Sequence, residues 1–153
     1  MFLVSDTRSS REAKIRSFLQ DDPAVAVILA AADFEWTVRR AIVALGRSPT
    51  KVIRQHLAEC YGLDRYKEAW KQEVQPRFGI GLAGVVPEWQ FFREKAYDLR
   101  HKIVHGLSSS VPVAFGQSRL DSILAASSAV TTFADSAGEP LYGRIIRRLN
   151  PRQ

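Results

Sequence analysis

Apolar residues recur every three or four positions along most of the chain, the period of an α-helix. No stretch alternates apolar and polar residues as a run of half-buried strands would. Helix signals punctuate the pattern. Ser9 and Ser10 can cap a first helix that runs through Gln20. Asp22 followed by Pro23 marks a second start, with Asp as N-cap and Pro at the first helical position. This helix runs to about Leu45 and stops at Gly46. Its first half, PAVAVILAAA, is apolar on all sides, which suits a helix at the middle of a bundle. Further helices are predicted over 50–60, 63–74, 87–105 and 117–134. RFGIGLAGVV is expected to be a loop, and its glycine spacing fits neither type of phosphate-binding loop. SSSVPVAFG is expected to be a loop with room for a short extended piece.

These elements predict an all-α fold, a bundle of four to five main helices with short additional helices. A chain of 153 residues suits one domain with one core, here about 22–135, followed by a basic C-terminal tail over 136–153. Apolar residues make up 46%, enough for a globular core and against disorder. The helix predicted for 117–134 is rich in Ala and Ser, small residues that permit close helix packing. The apolar run from Pro23 ends after about ten residues at Asp33, too short to span a bilayer. The first residues, MFLVSDTRSSREAK, lack the apolar core of a secretory signal. Cys60 is the only cysteine, so no intramolecular disulfide forms, and a reducing, cytoplasmic setting is expected. Cysteine-cluster metal sites are excluded. The three histidines present no His-x-x-x-His pair on an evident ligand platform, so no zinc site is expected.

The formal charge is +6, carried by 16 Arg and 6 Lys. Arginine grips phosphates bidentately, so this bias mildly favours a phosphate-bearing partner over an inert basic surface. The stretch LRHKIVHG, 99–106, concentrates that chemistry. On a wheel of about 100° per residue, Trp89, Phe92, Ala96, Leu99 and Ile103 form one narrow core stripe. Arg100 falls at its edge. His101 and His105 fall on the far side, in line with Tyr97 and Val104. A second semi-apolar stripe of this kind suggests a partner, most simply another copy of the chain. Arg100 and His105 are about 140° apart on a straight helix, so they do not point at one atom. They converge if Arg100 wraps around the helix, or if a two-fold axis brings one copy's Arg to the other's His. A histidine just before a helix-ending glycine is also an ordinary stabilising device.

Another group of charges lies in the long apolar helix, where DFEWTVRR holds Glu35 and Arg39 at i, i+4. Such a pair is commonly a simple intrahelical salt bridge. Charges in a central helix are costly unless paired, however, and Asp33, Glu35, Arg39 and Arg40 are expected to crowd onto one small patch.

Glu35-x-x-x-Arg39, followed later by Arg100-x-x-x-x-His105 with a polar residue after the Arg and a Gly after the His, resembles the HEPN domain family. The resemblance covers roughly 23–134. It implies a helical bundle that dimerises and, in many members, a metal-independent endoribonuclease of toxin–antitoxin or phage-defence systems that needs no cofactor. Arg100 and His105 would be the catalytic pair in a cleft between the two copies. His101 would occupy the polar position after the Arg, and Glu35 and Arg39 would support the site. The RNA 2′-OH would act as nucleophile, with His105 as general acid–base and Arg100 stabilising phosphoryl charge. Arg144, Arg147, Arg148 and Arg152 in the tail are candidate RNA-phosphate contacts, and a solvated basic tail explains them as well. Trp36, Trp70 and Trp89 are expected to pack in the core rather than stack on bases. The main alternative is a non-catalytic HEPN module that binds a nucleotide or pairs with a nucleotidyltransferase. An antitoxin is a further possible partner. A DNA-binding regulator rests on charge alone.

Overall fold

The computed structural model describes residues 6–108 and 110–142, and among these every regular element is helical. The elements are α1 (Arg8–Ser17), α2 (Pro23–Leu45), α3 (Thr50–Ala58), α4 (Leu63–Glu73), the single-turn α5 (Gln75–Phe78) and α6 (Leu82–Val85), α7 (Trp89–Phe91), a π-helical turn (Phe92–Tyr97), α8 (Asp98–Val104) and α9 (Val113–Ser136). Arg144, Arg147, Arg148 and Arg152 lie outside the described residues. Among the described residues no helix is long and apolar enough to cross a membrane.

α2 is the spine. Asp22 caps it by accepting a hydrogen bond from the Val25 amide at 3.2 Å, with Pro23 in the first turn. Gly46 ends it in an extended conformation rather than a left-handed one. The reason for glycine there is space. A Cβ at Gly46 would lie 2.5 Å from Ile53 Cδ1 and 2.6 Å from the Ile42 carbonyl oxygen. α9 packs along α2 in the same direction. At their starts, a Cβ on Gly116 would come within 2.9 Å of Pro23 Cβ. Near the far end, Arg40 Nε donates to the Leu141 carbonyl at 2.8 Å. Gly116 is therefore a packing residue inside α9, which begins at Val113, within the segment expected to be a loop, and not at Gln117. The core between these helices is lined by Ala26, Ala30, Phe34, Val38, Ala41, Leu120, Ile123, Ala126, Val130 and Ala134.

RFGIGLAGVV is not a plain loop, because α5 and α6 occupy much of it. Gly79 closes α5 in the left-handed region, and the buried Trp70 indole donates to the Ile80 carbonyl at 3.0 Å. The helix expected over 87–105 is likewise divided. It begins at Trp89, after Glu88 in a left-handed conformation, and widens into the π turn before α8.

The charges of α2 do not form one patch. Residues 33 and 35 point roughly 200° apart around the helix, so the four charges separate onto two faces. On one face the buried Asp33 accepts from the fully buried Arg11 of α1 at 2.6 Å. Tyr142 covers that pair, its ring 3.7 Å from the Arg11 guanidinium and 5.1 Å from that of Arg40. Its hydroxyl also bonds Thr37. Glu35 and Arg39 lie on the other face, towards α8 and α4.

Candidate active site

The site begins with the π turn. Hydrogen bonds of the i→i+5 type put residue 97 about one turn above residue 92, where a regular helix would have rotated it away. Phe92 and Tyr97 accordingly pack together, tilted, at 5.9 Å between ring centroids. Both lean on Phe34 of α2, at 4.8 and 6.4 Å. Tyr97 is buried, which corrects the placement of its side chain on the outer stripe with Val104. Phe92, Ala96 and Leu99 are buried as the wheel predicts, and Trp89 and Ile103 pack partly buried against the core.

Burial of Tyr97 brings its hydroxyl to Glu35, next to Phe34 in the chain. It donates to Glu35 Oε1 at 2.5 Å. The same oxygen faces Arg100 Nη2 at 3.4 Å. One carboxylate therefore holds a phenol and a guanidinium, and the guanidinium lies 5.8 Å from the Tyr97 ring. Burial pushes the Tyr97 phenol well above its ordinary pKa. The hydrogen bond to Glu35 and the negative charge of Glu35 add to this, and Arg100 partly opposes it.

Arg39 does not pair with Glu35. It turns towards α4, where Nη1 donates to the Tyr66 hydroxyl at 3.1 Å and to the Cys60 carbonyl at 3.5 Å. Tyr66 is raised by burial, with the Arg39 hydrogen bond opposing and the Glu35 charge adding. Burial also raises the Cys60 thiol, against the opposing charges of Arg39 and Arg65. Glu35 and Arg39 thus act as two clamps, one on α8 and one on α4.

α8 stops in a Schellman arrangement. His105 is the C-cap and Gly106 follows at φ +68°. The Gly106 amide bonds the Ile103 carbonyl at 3.1 Å, and the Leu107 amide bonds that of Lys102 at 2.8 Å. The glycine after the histidine is the conformational stop for this helix. His101 and His105 are exposed, and their rings lie 4.3 Å apart. Beside them Val104 is 51% and Leu107 71% exposed.

Within one chain Arg100 turns inward to Glu35 while His105 sits on the exposed end of α8. Among the described residues no hydrogen bond or ion pair joins them. The structure brings Glu35 to Arg100 and His101 to His105, and it separates Arg39 from both pairs. Tyr97 and Tyr66 are site residues that sequence reasoning missed. The five-residue step from Phe92 to Tyr97 hinted at the first. The His101-x-x-x-His105 spacing was also in plain view, and its rings do share one face. Trp70 is fully buried, and His56 is half-buried. Among the described residues no group of three or more His, Cys, Asp or Glu gathers as a metal cage. No protein-family profile, curated protein or solved structure matches the chain.

Proposed function

We propose that this protein is a HEPN-type, metal-independent endoribonuclease of the cytoplasm that acts as a homodimer in a toxin–antitoxin or phage-defence system. The observation that carries the reading is the anchoring of Arg100. A buried tyrosine and a carboxylate on a central helix fix a guanidinium in the turn before His105. A π turn directly precedes it, a feature frequent at functional sites. In the proposed reaction His105 takes the proton of the RNA 2′-OH, or protonates the leaving 5′-oxygen. The 2′-oxygen bonds to phosphorus and the P–O5′ bond breaks, leaving a 2′,3′-cyclic phosphate and a 5′-OH. Arg100 stabilises charge growing on the phosphoryl oxygens. DNA, lacking the 2′-OH, is not cut. Because Arg100 and His105 diverge within one chain, a two-fold axis along α8 supplies one copy's Arg to the other copy's His. Val104 and Leu107 provide apolar surface beside that axis.

The test incubates the protein with mixed cellular RNA in EDTA, beside His105→Ala and Arg100→Ala. Cleavage by the parent alone, with cyclic phosphate ends, supports the proposal. Intact RNA with a folded dimeric parent favours the second reading, a non-catalytic HEPN module that binds a nucleotide or a nucleotidyltransferase. The observation on that side is that Glu35 already neutralises Arg100.

A further inference from the structure

His101 and His105 share a property that RNA cleavage does not use. They are four residues apart, His101 within α8 and His105 as its C-cap, and the His105 amide bonds the His101 carbonyl at 3.1 Å. Side chains so spaced leave one face, one turn apart. Both are exposed, and their ring centroids lie 4.3 Å apart at an interplanar angle of 51°. Among the described residues no hydrogen bond engages either ring. Each neutral imidazole carries one nitrogen lone pair, so the helix offers two lone pairs side by side. Exposed rings turn at little cost, which lets both lone pairs aim at one point.

The surroundings also suit a cation. α8 ends here, and the negative end of its dipole lies beneath the pair. The positive side chains on either side of His101 in the chain are already matched, Lys102 to Asp98 at 2.8 Å and Arg100 to Glu35.

We propose that His101 and His105 form a two-imidazole site for a borderline divalent cation, Cu(II), Ni(II) or Zn(II), with water completing the coordination. Imidazole selects these ions over Mg(II) and Ca(II), which prefer oxygen. With two protein ligands instead of the four of a structural zinc centre, the ion exchanges freely and the fold does not depend on it. The second ring binds an ion already tethered by the first. By that effective-concentration argument the pair binds on the order of 100-fold more tightly than either ring alone.

Titration calorimetry of the full chain with Ni(II) or Zn(II) chloride tests the site. One ion per chain is expected, weakened about 100-fold by His101→Ala and by His105→Ala, each separately. His56→Ala, on α3, is expected to leave binding unchanged, and Mg(II) to give no heat. Both histidines of the pair are exposed, so circular dichroism of the variants should match the parent. The proposal is overturned if the parent gives no binding heat with either ion. It is equally overturned if either single variant binds as tightly as the parent, or if His56→Ala abolishes binding.

Discussion

Removing one oxygen atom tests the clamp on Arg100. Tyr97→Phe keeps the ring against Phe34 and Phe92 and deletes only the hydroxyl that donates to Glu35. A hydrogen bond to a charged group contributes about 1.5–3 kcal/mol net. The Glu35 side chain is 19% exposed and keeps Arg100, so water replaces part of what is lost. The low end of the range, about 1.5 kcal/mol, is therefore expected. For a chain of this size that lowers Tm by about 3–6 °C. A double-mutant cycle isolates the bond. In a Glu35→Ala background the Tyr97 hydroxyl is already a buried donor without its acceptor, so removing it should be neutral or stabilising. Denaturant unfolding of the four proteins measures both numbers. A cost below about 0.5 kcal/mol in the parent refutes the clamp, because that is what an unengaged surface group costs. An equal cost in both backgrounds refutes it too, since the hydroxyl would then be acting through a partner other than Glu35.

Three other outcomes are expected. Burial raises Tyr66, Tyr97 and Tyr142 above their ordinary range. The unfolded chain therefore loses these protons first, so stability is unaffected by them below about pH 10 and falls above it. Phenolate absorbance recorded beside circular dichroism checks this, and ionisation of Tyr66, Tyr97 and Tyr142 at about pH 10 in still-folded protein would contradict it. Asp33→Ala leaves the fully buried Arg11 without its counter-charge and should cost about 3–5 kcal/mol in urea unfolding, whereas an effect near zero would mean that Arg11 finds water instead. If His105 is the acid–base in RNA cleavage, saturating Zn(II) should abolish that activity and EDTA should restore it. Full activity in metal-saturated protein would remove His105 from the chemistry.

What was legible in this chain was what short-range chemistry decides. Asp22-Pro23 and Gly46 bracket α2 to the residue, because a cap and a ring with fixed φ act on their immediate neighbours and Gly46 has no room for a Cβ between Ile42 and Ile53. The all-helical bundle followed from the same periodicity. α9 was misread at Gly116, where the glycine answers to Pro23 on another helix and not to its own backbone. Tyr97 was misread for a similar reason. A wheel of constant pitch cannot contain a π turn, and this one is supported by Phe34, a residue of α2. The π turn brings Tyr97 over Phe92, which a helix of constant pitch would not do. The Tyr97 hydroxyl and the Arg100 guanidinium then meet on Glu35, while His101 and His105 face solvent as an uninterrupted wheel also places them. The pairing of Glu35 with Arg100 instead of Arg39 thus comes from a tertiary contact. Motif spacing alone, Glu35 to Arg39 and Arg100 to His105, does not give the contacts these residues make, Glu35 with Arg100 and Arg39 with Tyr66.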